Sequence, residues 1–459
     1  GITMSNKELK NYLNSIDGVS HITLNPNGPG AVRIHLVPPQ KPKLGLVWAV
    51  ILNGQDVLPL TTGWAILLRE FINQATKYDG VSLSDDELVM LIKKTIQNVK
   101  KVFPKTPEQM LKEDLADILD TLVEVAREEE PDIEIGYMTL SRYGRYMSAP
   151  HRMDLMISSM SKDGHWHCNQ KCLHCYAGEQ VNANVKELTT DEWKKIIDKC
   201  RKAWIPELTF TGGEPTLRDD LVELIDYSKW FVTRLNTNGV LLTESLCKDL
   251  MDASLDAVQI TLYSSNPSIH NLLVGAPNFD KTIEGIKNAL SAGLNVSVNT
   301  PLCTLNQDYI KTLKFLKNLG VIYFSCSGLI QTGNATNDNS KDTIISHNDL
   351  LYLIMKAVDY CKENNLELAF TSPGWLTGNE LEKLHLTIPS CGACLSNMAI
   401  SPDGSIIPCQ SWLSDDVLGN MLTDEWKKVW NSKQTKKIRK ASMKNTEVCP
   451  LSLMKKEKK

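Results

Sequence analysis

The sequence predicts an α/β protein with a central parallel sheet, and three observations support this prediction. Residues 151–345 alternate six times between strand-like and helix-like patterns, and repeated βα units form parallel sheets. A strand hairpin and three amphipathic helical patterns precede this region, and grouped cysteines around a hairpin pattern follow it. The 459 residues are therefore expected to form more than one domain.

The N-terminal pattern predicts a small sheet followed by helices. Residues 31–37 and 44–52 read as strands, and Asn53-Gly54 is a strong hairpin signal before a further strand at Val57. Three helical patterns follow, of which the second begins with a capping box formed by Ser84 and Glu87.

Six strands are predicted in the central region, each followed by a helical pattern or a loop. Because functional side chains of parallel sheets lie on the loops after the strands, we expect the site there. The predicted strands span residues 153–159, 208–211, 231–236, 257–263, 295–300 and 322–326.

The composition excludes several classes of protein. A net charge of −4 gives no basic field for nucleic acid. The longest apolar run, residues 44–52, is far too short to cross a bilayer, and residues 1–10 contain no signal-peptide core. We expect a soluble cytoplasmic protein without a nucleic-acid or membrane partner.

Grouped cysteines follow the first central strand. Three thiolates on one loop can hold three irons of a [4Fe–4S] cube and leave the fourth iron open to a ligand. The alternative is a structural zinc site that His165, His167 or His174 completes. The cysteines have CxxxCxxC spacing and are Cys168, Cys172 and Cys175.

The second central strand ends in Gly212-Gly213-Glu214-Pro215. Two glycines let a ligand approach the backbone closely, and Glu214 places a carboxylate near any bound ammonium group. Taken alone, this segment is also compatible with a plain turn. Its combination with the cysteine loop makes coincidence a poor explanation.

These two motifs together resemble the radical S-adenosylmethionine (SAM) superfamily, whose fold is a partial (β/α)6 barrel. Asn236-Thr237-Asn238-Gly239 resembles the family's TNG segment after the third strand. Thr261-Leu262-Tyr263 resembles its strand-four variants, with His270 and Gly275 downstream. Many relatives carry Ser and Asp on this strand, where this chain has Thr261 and Tyr263. The chain departs from the family pattern at these two positions.

The resemblance implies roles for individual residues. Cys168, Cys172 and Cys175 hold a [4Fe–4S] cluster that binds SAM, and one electron splits SAM into methionine and a 5′-deoxyadenosyl radical. The radical then takes a hydrogen atom from a C–H bond of the substrate. The implied SAM-binding residues are His174, Tyr176, Gly212, Gly213, Glu214, Pro215, Thr261 and Asn299.

Four further cysteines follow the barrel region in the sequence, around the hairpin of residues 398–408: Cys391, Cys394, Cys409 and Cys449. Their layout resembles the SPASM and twitch extensions of peptide-modifying radical SAM enzymes. The resemblance implies one auxiliary [4Fe–4S] cluster, because Ser452 stands where relatives with two auxiliary clusters continue with a cysteine. A zinc ribbon on the same cysteines, or partly free thiols, is the alternative.

The N-terminal hairpin and helices resemble a RiPP recognition element, a winged-helix-like module that binds the leader of a ribosomally made peptide by adding it to a sheet edge. A plain packing domain and a DNA-binding winged helix are the alternatives. The implied domains are a recognition element in 1–130, a linker in 131–150, the barrel in 151–345, and a linker helix with the SPASM/twitch domain in 346–459.

The resemblance as a whole implies a maturase that binds a precursor peptide and forms a thioether or carbon–carbon crosslink in its core. An electron donor such as flavodoxin or ferredoxin is implied as a second partner. One alternative is a peptide epimerase, in which Cys303 or Cys326 would return a hydrogen atom, although an inert buried cysteine fits either position. The motifs are also compatible with a radical SAM dehydrogenase or cofactor-biosynthesis enzyme, and with a non-catalytic iron–sulfur or zinc peptide-binding protein.

Overall fold

The computed structural model divides the chain into two compact units. One comprises residues 1–149 with 202–206, and the other comprises residues 150–201 and 207–459. No helix within the described ranges is long and apolar enough to cross a membrane. The structure describes residues 6–24, 32–39, 47–52, 56–78, 83–126, 147–162, 165–166, 168–172, 185–328, 343–372, 376–386, 392–410 and 416–444.

The first unit contains a four-stranded antiparallel sheet in the order β1-β2-β3-β4. Its strands are β1 (Ser20–Leu24), β2 (Val32–Val37), β3 (Trp48–Leu52) and β4 (Asp56–Leu60). Its helices are α1 (Asn6–Asn14), α2 (Thr62–Ala75), α3 (Asp85–Val102) and α4 (Glu108–Ala126).

Local sequence signals account for much of this unit. Every residue of β3 is buried, as is most of β2, so these two strands form the centre of the sheet. The capping box at the start of α3 is present, because Ser84 Oγ accepts from the backbone of Glu87 and Glu87 Oε1 accepts from the backbone of Ser84. The predicted sheet and helices are confirmed, whereas α1 and β1 are additions. Asn53 and Gly54 lie outside the described residues.

The second unit contains a ten-stranded sheet in the order β13-β12-β11-β10-β9-β8-β5-β14-β15-β16. Strands β13 to β14 in this order are parallel, and β15 and β16 add to them antiparallel. The ten strands are β5 (Arg152–Ser158), β8 (Glu207–Gly212), β9 (Val232–Thr237), β10 (Ala257–Thr261), β11 (Val296–Pro301), β12 (Tyr323–Ser327), β13 (Glu367–Phe370), β14 (Asn397–Ile400), β15 (Ser405–Ile407) and β16 (Gly419–Asn420). A separate antiparallel pair is formed by β6 (Ser161–Lys162) and β7 (His165–Trp166).

All six predicted central strands are present, as β5, β8, β9, β10, β11 and β12, and the α/β fold class is confirmed. The sheet extends further than predicted, because β13 pairs with β12 and the C-terminal hairpin joins β5 through β14. The helices are α5 (Thr190–Lys202), α6 (Leu221–Tyr227), α7 (Glu244–Asp252), α8 (Pro267–Val274), α9 (Phe279–Ser291), α10 (Tyr309–Leu319), α11 (His347–Glu363), α12 (Gly378–Lys383), α13 (Trp426–Trp430) and α14 (Lys433–Lys444).

Side chains alternate between the two faces of the central strands. On β10 to β12, the apolar positions are buried, and the intervening positions are mostly polar and half-buried. Because side chains alternate along a strand, the apolar side chains face the surrounding helices and the polar side chains face the inside of the barrel. The interior therefore offers polar groups, among them Thr261, Asn299 and Ser325.

A buried ion network lies at the N-terminal ends of three central strands. The carboxylate of Glu207 contacts the Arg234 guanidinium, and its other oxygen lies 3.2 Å from His151 Nε2. Burial alone raises the pKa of Glu207, but Arg234, His151 and Arg152 outweigh it and lower this pKa to about 2. The N-terminal ends of barrel strands are the side that serves stability.

This network predicts an acid-sensitive contribution to stability. The folded pKa of Glu207 lies below its unfolded value, so the contribution is complete above about pH 5 and is lost as the pH falls toward 2. We expect Glu207→Gln to remove about 3 kcal/mol of this pH dependence. Urea unfolding at a series of pH values measures it. Glu223→Gln, at an exposed glutamate paired with Lys194, is the control, and parallel profiles for wild type and Glu207→Gln would contradict the prediction.

Candidate functional site

The cysteine loop and the Gly-Gly-Glu-Pro segment meet at the C-terminal ends of β5 and β8. Cys168 Sγ lies 3.6 Å from the carbonyl oxygen of Gly213. Cys168 and Cys172 are both partly exposed, so their thiols are accessible to a ligand. Cys175, His174 and Tyr176 lie outside the described residues, so their predicted roles stay predictions.

The two glycines are required by the close approach of a neighbouring strand end. Gly212 has φ +133°, and a Cβ there would lie 2.4 Å from the carbonyl oxygen of Ser158. A Cβ on Gly213 would lie 2.8 Å from the carbonyl oxygen of Ser159. Any larger residue would push β8 away from β5. This packing constraint is distinct from the predicted approach of a ligand, and both demand glycine.

Glu214 joins the ends of β8 and β9 through a fully buried carboxylate. Its Oε1 accepts from the backbone N of Asn238 at 2.8 Å, and its Oε2 accepts from Thr237 Oγ1 at 2.7 Å. The backbone N of Thr216, at 3.1 Å, and its hydroxyl also donate to Oε2. Burial raises the pKa of Glu214, and these four donors oppose that rise. Oε1 accepts a single hydrogen bond within the described residues, so it retains acceptor capacity for a ligand ammonium.

The hydrogen bonds continue from Asn238 to the cysteine loop. Asn238 Nδ2 donates to Asn169 Oδ1, and Asn278 Nδ2 donates to the carbonyl oxygen of Asn169 at 3.1 Å. Asn169 directly follows Cys168 in the sequence. The loop that carries the first cysteine is therefore fixed to the segments after β9 and after α8.

The end of α8 clamps the same loop at a second point. The backbone N of Lys171 donates to the carbonyl oxygen of Val274 at 2.9 Å. Gly275 has φ +67°, and a Cβ there would lie 2.4 Å from the carbonyl oxygen of Lys171. Gly275 thus combines a left-handed helix end with a close backbone contact beside Cys172.

Cys172 packs against a small apolar cluster at the ends of β10 and β11. The cluster contains Tyr263, Leu273, Val274 and Cys303, with Cys172 and Ile269 at its margin. Cys303 is fully buried, and burial raises the pKa of its thiol. The structure therefore brings Cys303 close to the cysteine loop, as a neutral thiol.

Thr261 and Asn299 form a polar row with Ser325 across three strands. Thr261 pairs with Asn299, which pairs with Ser325, and Asn299 Oδ1 accepts from Ser325 Oγ at 2.8 Å. Thr261 and Asn299 were predicted from the sequence, whereas Ser325 was missed. Its alternation with Phe324 along β12 is the signal that would have found it.

Cys326 does not share this interior face. It is fully buried on the opposite side of β12, where burial raises the pKa of its thiol, and it contacts Tyr309 of α10. The parity of the strand separates it from Ser325. Cys326 therefore lies on the helix-facing side of β12, and its role as a hydrogen-atom donor stays a prediction.

The C-terminal cysteines lie beside the sheet extension. Cys394 and Cys409 flank the β14–β15 hairpin, and Cys394 is fully buried in a left-handed conformation with φ +58°. Burial raises the pKa of the Cys394 thiol, and the nearby Arg439 opposes this. Cys391 and Cys449 lie outside the described residues.

Helix α14 holds the loop around Cys394 by its main chain. Arg439 Nε donates to the carbonyl oxygen of Cys394 at 2.9 Å, and Nη2 donates to that of Trp430 at 2.7 Å. The guanidinium carbon lies 3.5 Å from the centre of the Trp430 ring, a close cation–π contact. Ser442 Oγ donates to the carbonyl oxygen of Ala393 at 2.6 Å. Neither Arg439 nor Ser442 was identified from the sequence.

The donor chemistry fits iron–sulfur clusters at both places. Thiolates are soft ligands, and the described thiols stand on loops fixed by hydrogen bonds that do not involve their sulfur atoms. Metal binding needs these thiols as thiolates, which the positive charge of Arg439 favours at Cys394.

Two parts of the chain match known protein families. Residues 167–317 match the family model of the radical SAM superfamily, and residues 391–451 match that of SPASM, an iron–sulfur cluster-binding domain. An AdoMet-dependent heme synthase of Methanosarcina barkeri is 27% identical over 291 residues, which are 59% of this chain and 82% of that protein.

Two solved structures share the fold. Streptococcus suis SuiB bound to the precursor peptide SuiA has a TM-score of 0.57 at 16% identity, covering 85% of this chain and 87% of that chain. Native anSMEcpe with bound AdoMet has a TM-score of 0.52 at 17% identity, covering 64% of this chain and 84% of that chain.

The Glu214 network predicts a specific loss of SAM binding. In Glu214→Gln an amide NH2 faces donors that need an acceptor, and the negative charge disappears, so we expect SAM affinity to fall at least about tenfold. Equilibrium dialysis with anaerobically reconstituted protein measures it, and unchanged iron content shows that the cysteine loop is intact. Glu244→Gln, at an exposed glutamate, is the control. Wild-type affinity in Glu214→Gln would refute the role.

The Arg439 contacts predict a loss confined to the C-terminal cluster. Arg439→Gln removes the charge and the donor to Cys394, so we expect the reconstituted iron per chain to fall by roughly half. Arg439→Lys, which keeps the charge but loses the planar guanidinium that binds two carbonyl groups, should fall between Arg439→Gln and wild type. Arg201→Gln is the matched control, since Arg201 also stacks on a tryptophan, Trp230. Full iron content in Arg439→Gln would overturn this prediction.

Proposed function

We propose that this radical SAM enzyme, which carries a SPASM iron–sulfur domain behind its barrel, matures a ribosomally synthesised precursor peptide. The N-terminal unit binds the leader of the peptide, and the barrel modifies the core through a 5′-deoxyadenosyl radical. We further propose that the product is a thioether or carbon–carbon crosslink. The enzyme acts in the cytoplasm with a flavodoxin or ferredoxin as electron donor.

The observation that carries this proposal is the N-terminal unit. The unit that contains the barrel makes up about two thirds of the chain. The likeness to peptide-bound SuiB covers 85% of the whole chain, which is more than that unit alone. The fold likeness therefore extends into the N-terminal unit, which contains the four-stranded antiparallel sheet. Its outer strands, β1 and β4, each pair on one side with a neighbour within the described residues, and a sheet edge is a site to which an extended peptide can add a strand.

The described residues supply positioning for radical chemistry. When bound, the cluster and SAM supply a radical that abstracts hydrogen from an unactivated C–H bond. Glu214 offers its carboxylate to the SAM ammonium, and Gly212 and Gly213 keep that strand end close to Cys168. The polar row of Thr261, Asn299 and Ser325 offers hydrogen-bonding groups to the bound molecules.

A crosslink suits this arrangement better than epimerisation. Crosslinking releases an electron from the substrate radical, and the SPASM domain provides a second iron–sulfur site that can accept it. Epimerisation needs a thiol that returns a hydrogen atom, and Cys303 is the cysteine whose placement keeps that alternative open. The crosslinked peptide loses two hydrogen atoms, whereas the epimerised peptide keeps its mass.

A second candidate function is cofactor biosynthesis on an iron tetrapyrrole. It is favoured by the heme synthase relative, of which the match covers 82%. That match spans 59% of this chain, so it leaves about two fifths of the chain without a counterpart. Fe-coproporphyrin III serves as the probe for this alternative, because it is an iron tetrapyrrole that the name of one relative prints.

Leader binding at a sheet edge predicts sensitivity to lost backbone donors. Val57→Pro on β4 and Thr23→Pro on β1 each remove one N–H. Pro59 of β4 has no backbone N–H, so its nitrogen faces away from β3. Val57 is two residues earlier on the same strand, so its backbone N–H also points away from β3 and toward the open edge. We expect one of these variants to weaken peptide binding at least about tenfold, and the affected strand identifies the edge used.

The experiment uses the full chain and the peptides encoded by short open reading frames beside its gene. Fluorescence anisotropy reports binding, and mass spectrometry reports 5′-deoxyadenosine and the change in the peptide. Asp85→Pro is the matched control, because proline is tolerated in the first turn of α3. Wild-type affinity in both strand variants would rule out edge binding, and 5′-deoxyadenosine formed with Fe-coproporphyrin III alone would favour the second candidate.

A further inference from the structure

The last two described helices carry a concentration of positive charge. Residues 426–444, which comprise α13 and α14, contain eight basic residues and no acidic residue, although the whole chain has a net charge of −4. Lys427 and Lys428 of α13 are exposed. This local excess differs in sign from the chain as a whole.

Helix α14 has two chemically different faces. Its inner face is largely buried and includes Thr435, Ile438, Arg439 and Ser442, two of which hold the loop around Cys394. Its outer face carries four exposed lysines at positions three and four residues apart, which place them on one side of a helix. We call them the lysine stripe: Lys433, Lys436, Lys437 and Lys440.

Helix stability does not account for the lysine stripe. Lys433 and Lys436 stand in the first turn, where the helix dipole disfavours cations, and that turn contains no acidic residue. The pairs Lys433–Lys437 and Lys436–Lys440 are like charges four residues apart, which repel. Among the described residues, no carboxylate forms an ion pair with the stripe. A partner that supplies negative charge would offset these costs.

The stripe lies directly behind the C-terminal cysteine loop. Arg439, on the inner face of the same helix, contacts the carbonyl oxygen of Cys394 at 2.9 Å. A protein seated on the stripe is therefore separated from that loop by the thickness of one helix. Short separation is what electron exchange between two proteins requires, and small acidic electron carriers match the sign of the surface.

We propose that the lysine stripe of α14, with Lys427 and Lys428, is the docking surface for an acidic one-electron carrier protein. The inference rests on the proposed function, which requires a one-electron donor, and adds where that donor binds. At each productive encounter the reduced carrier loses one electron, and one SAM gains it as its sulfonium C–S bond breaks into methionine and the 5′-deoxyadenosyl radical. Charge complementarity steers the encounter, so it weakens as salt rises.

The test compares a protein donor with a small-molecule donor. The variant replaces Lys433, Lys436, Lys437 and Lys440 by Gln in the full, reconstituted chain. With reduced flavodoxin as the probe, we expect the affinity and the rate of 5′-deoxyadenosine formation at limiting flavodoxin to fall about tenfold at low ionic strength. With dithionite the rate should stay at the wild-type value, because dithionite needs no docking surface.

A charge-matched control separates docking from net charge. It replaces four exposed lysines on helices α9, α10 and α11 by Gln: Lys281, Lys287, Lys311 and Lys362. This control should behave as wild type with both donors. Wild-type rates with flavodoxin in the stripe variant would overturn the proposed docking surface. Tighter binding of wild type to short single-stranded DNA or anionic vesicles than to flavodoxin, lost in the stripe variant, would also overturn it. If the wild-type enzyme formed no 5′-deoxyadenosine with either donor, the proposed function itself would be contradicted.

Discussion

The buried carboxylate of Glu214 is the interaction on which the arrangement of the site depends. It accepts hydrogen bonds from the segments after β8 and after β9, and so fixes the distance between two strand ends. An unpaired carboxylate at this depth would be costly, because burial disfavours its charged form. The surrounding donors offset that cost, and in doing so they hold the Gly212–Gly213 turn against β5.

From Glu214 the same network reaches the cysteine loop. Asn238 contacts both the Glu214 carboxylate and the Asn169 side chain, and Asn278 binds the Asn169 carbonyl group. The C-terminal loop is held in the same manner, since Arg439 and Ser442 bind main-chain carbonyl groups next to Cys394. In both cases the thiols stand on loops whose backbone is restrained by the protein itself, which limits the ordering that metal binding must impose.

Short-range patterns explain what could be predicted from the sequence. The six central strands, the capping box of Ser84 and Glu87, and the meeting of Cys168 with Gly213 follow from periodicity, local signals and motif resemblance. The pairing of β14 with β5 and the contact of Arg439 with Cys394 join residues far apart in the chain. Such contacts depend on which surfaces pack together, and a single sequence carries no local signal for them. The outward direction of Cys326, by contrast, followed from the alternation along β12 and could have been inferred.

The pairing of β14 with β5 has a consequence for the chemistry. It continues the central sheet into the cysteine-bearing hairpin. As a result Gln410, next to Cys409, contacts Thr211, next to Gly212. Thr211 Oγ1 lies 3.3 Å from Gln410 Oε1. The two cysteine sites are thus connected through one sheet and one polar contact, within a single compact unit. The loops that carry Cys168 and Cys409 therefore keep a fixed relation, and fixed geometry is what lets consecutive chemical steps occur without a competing reaction.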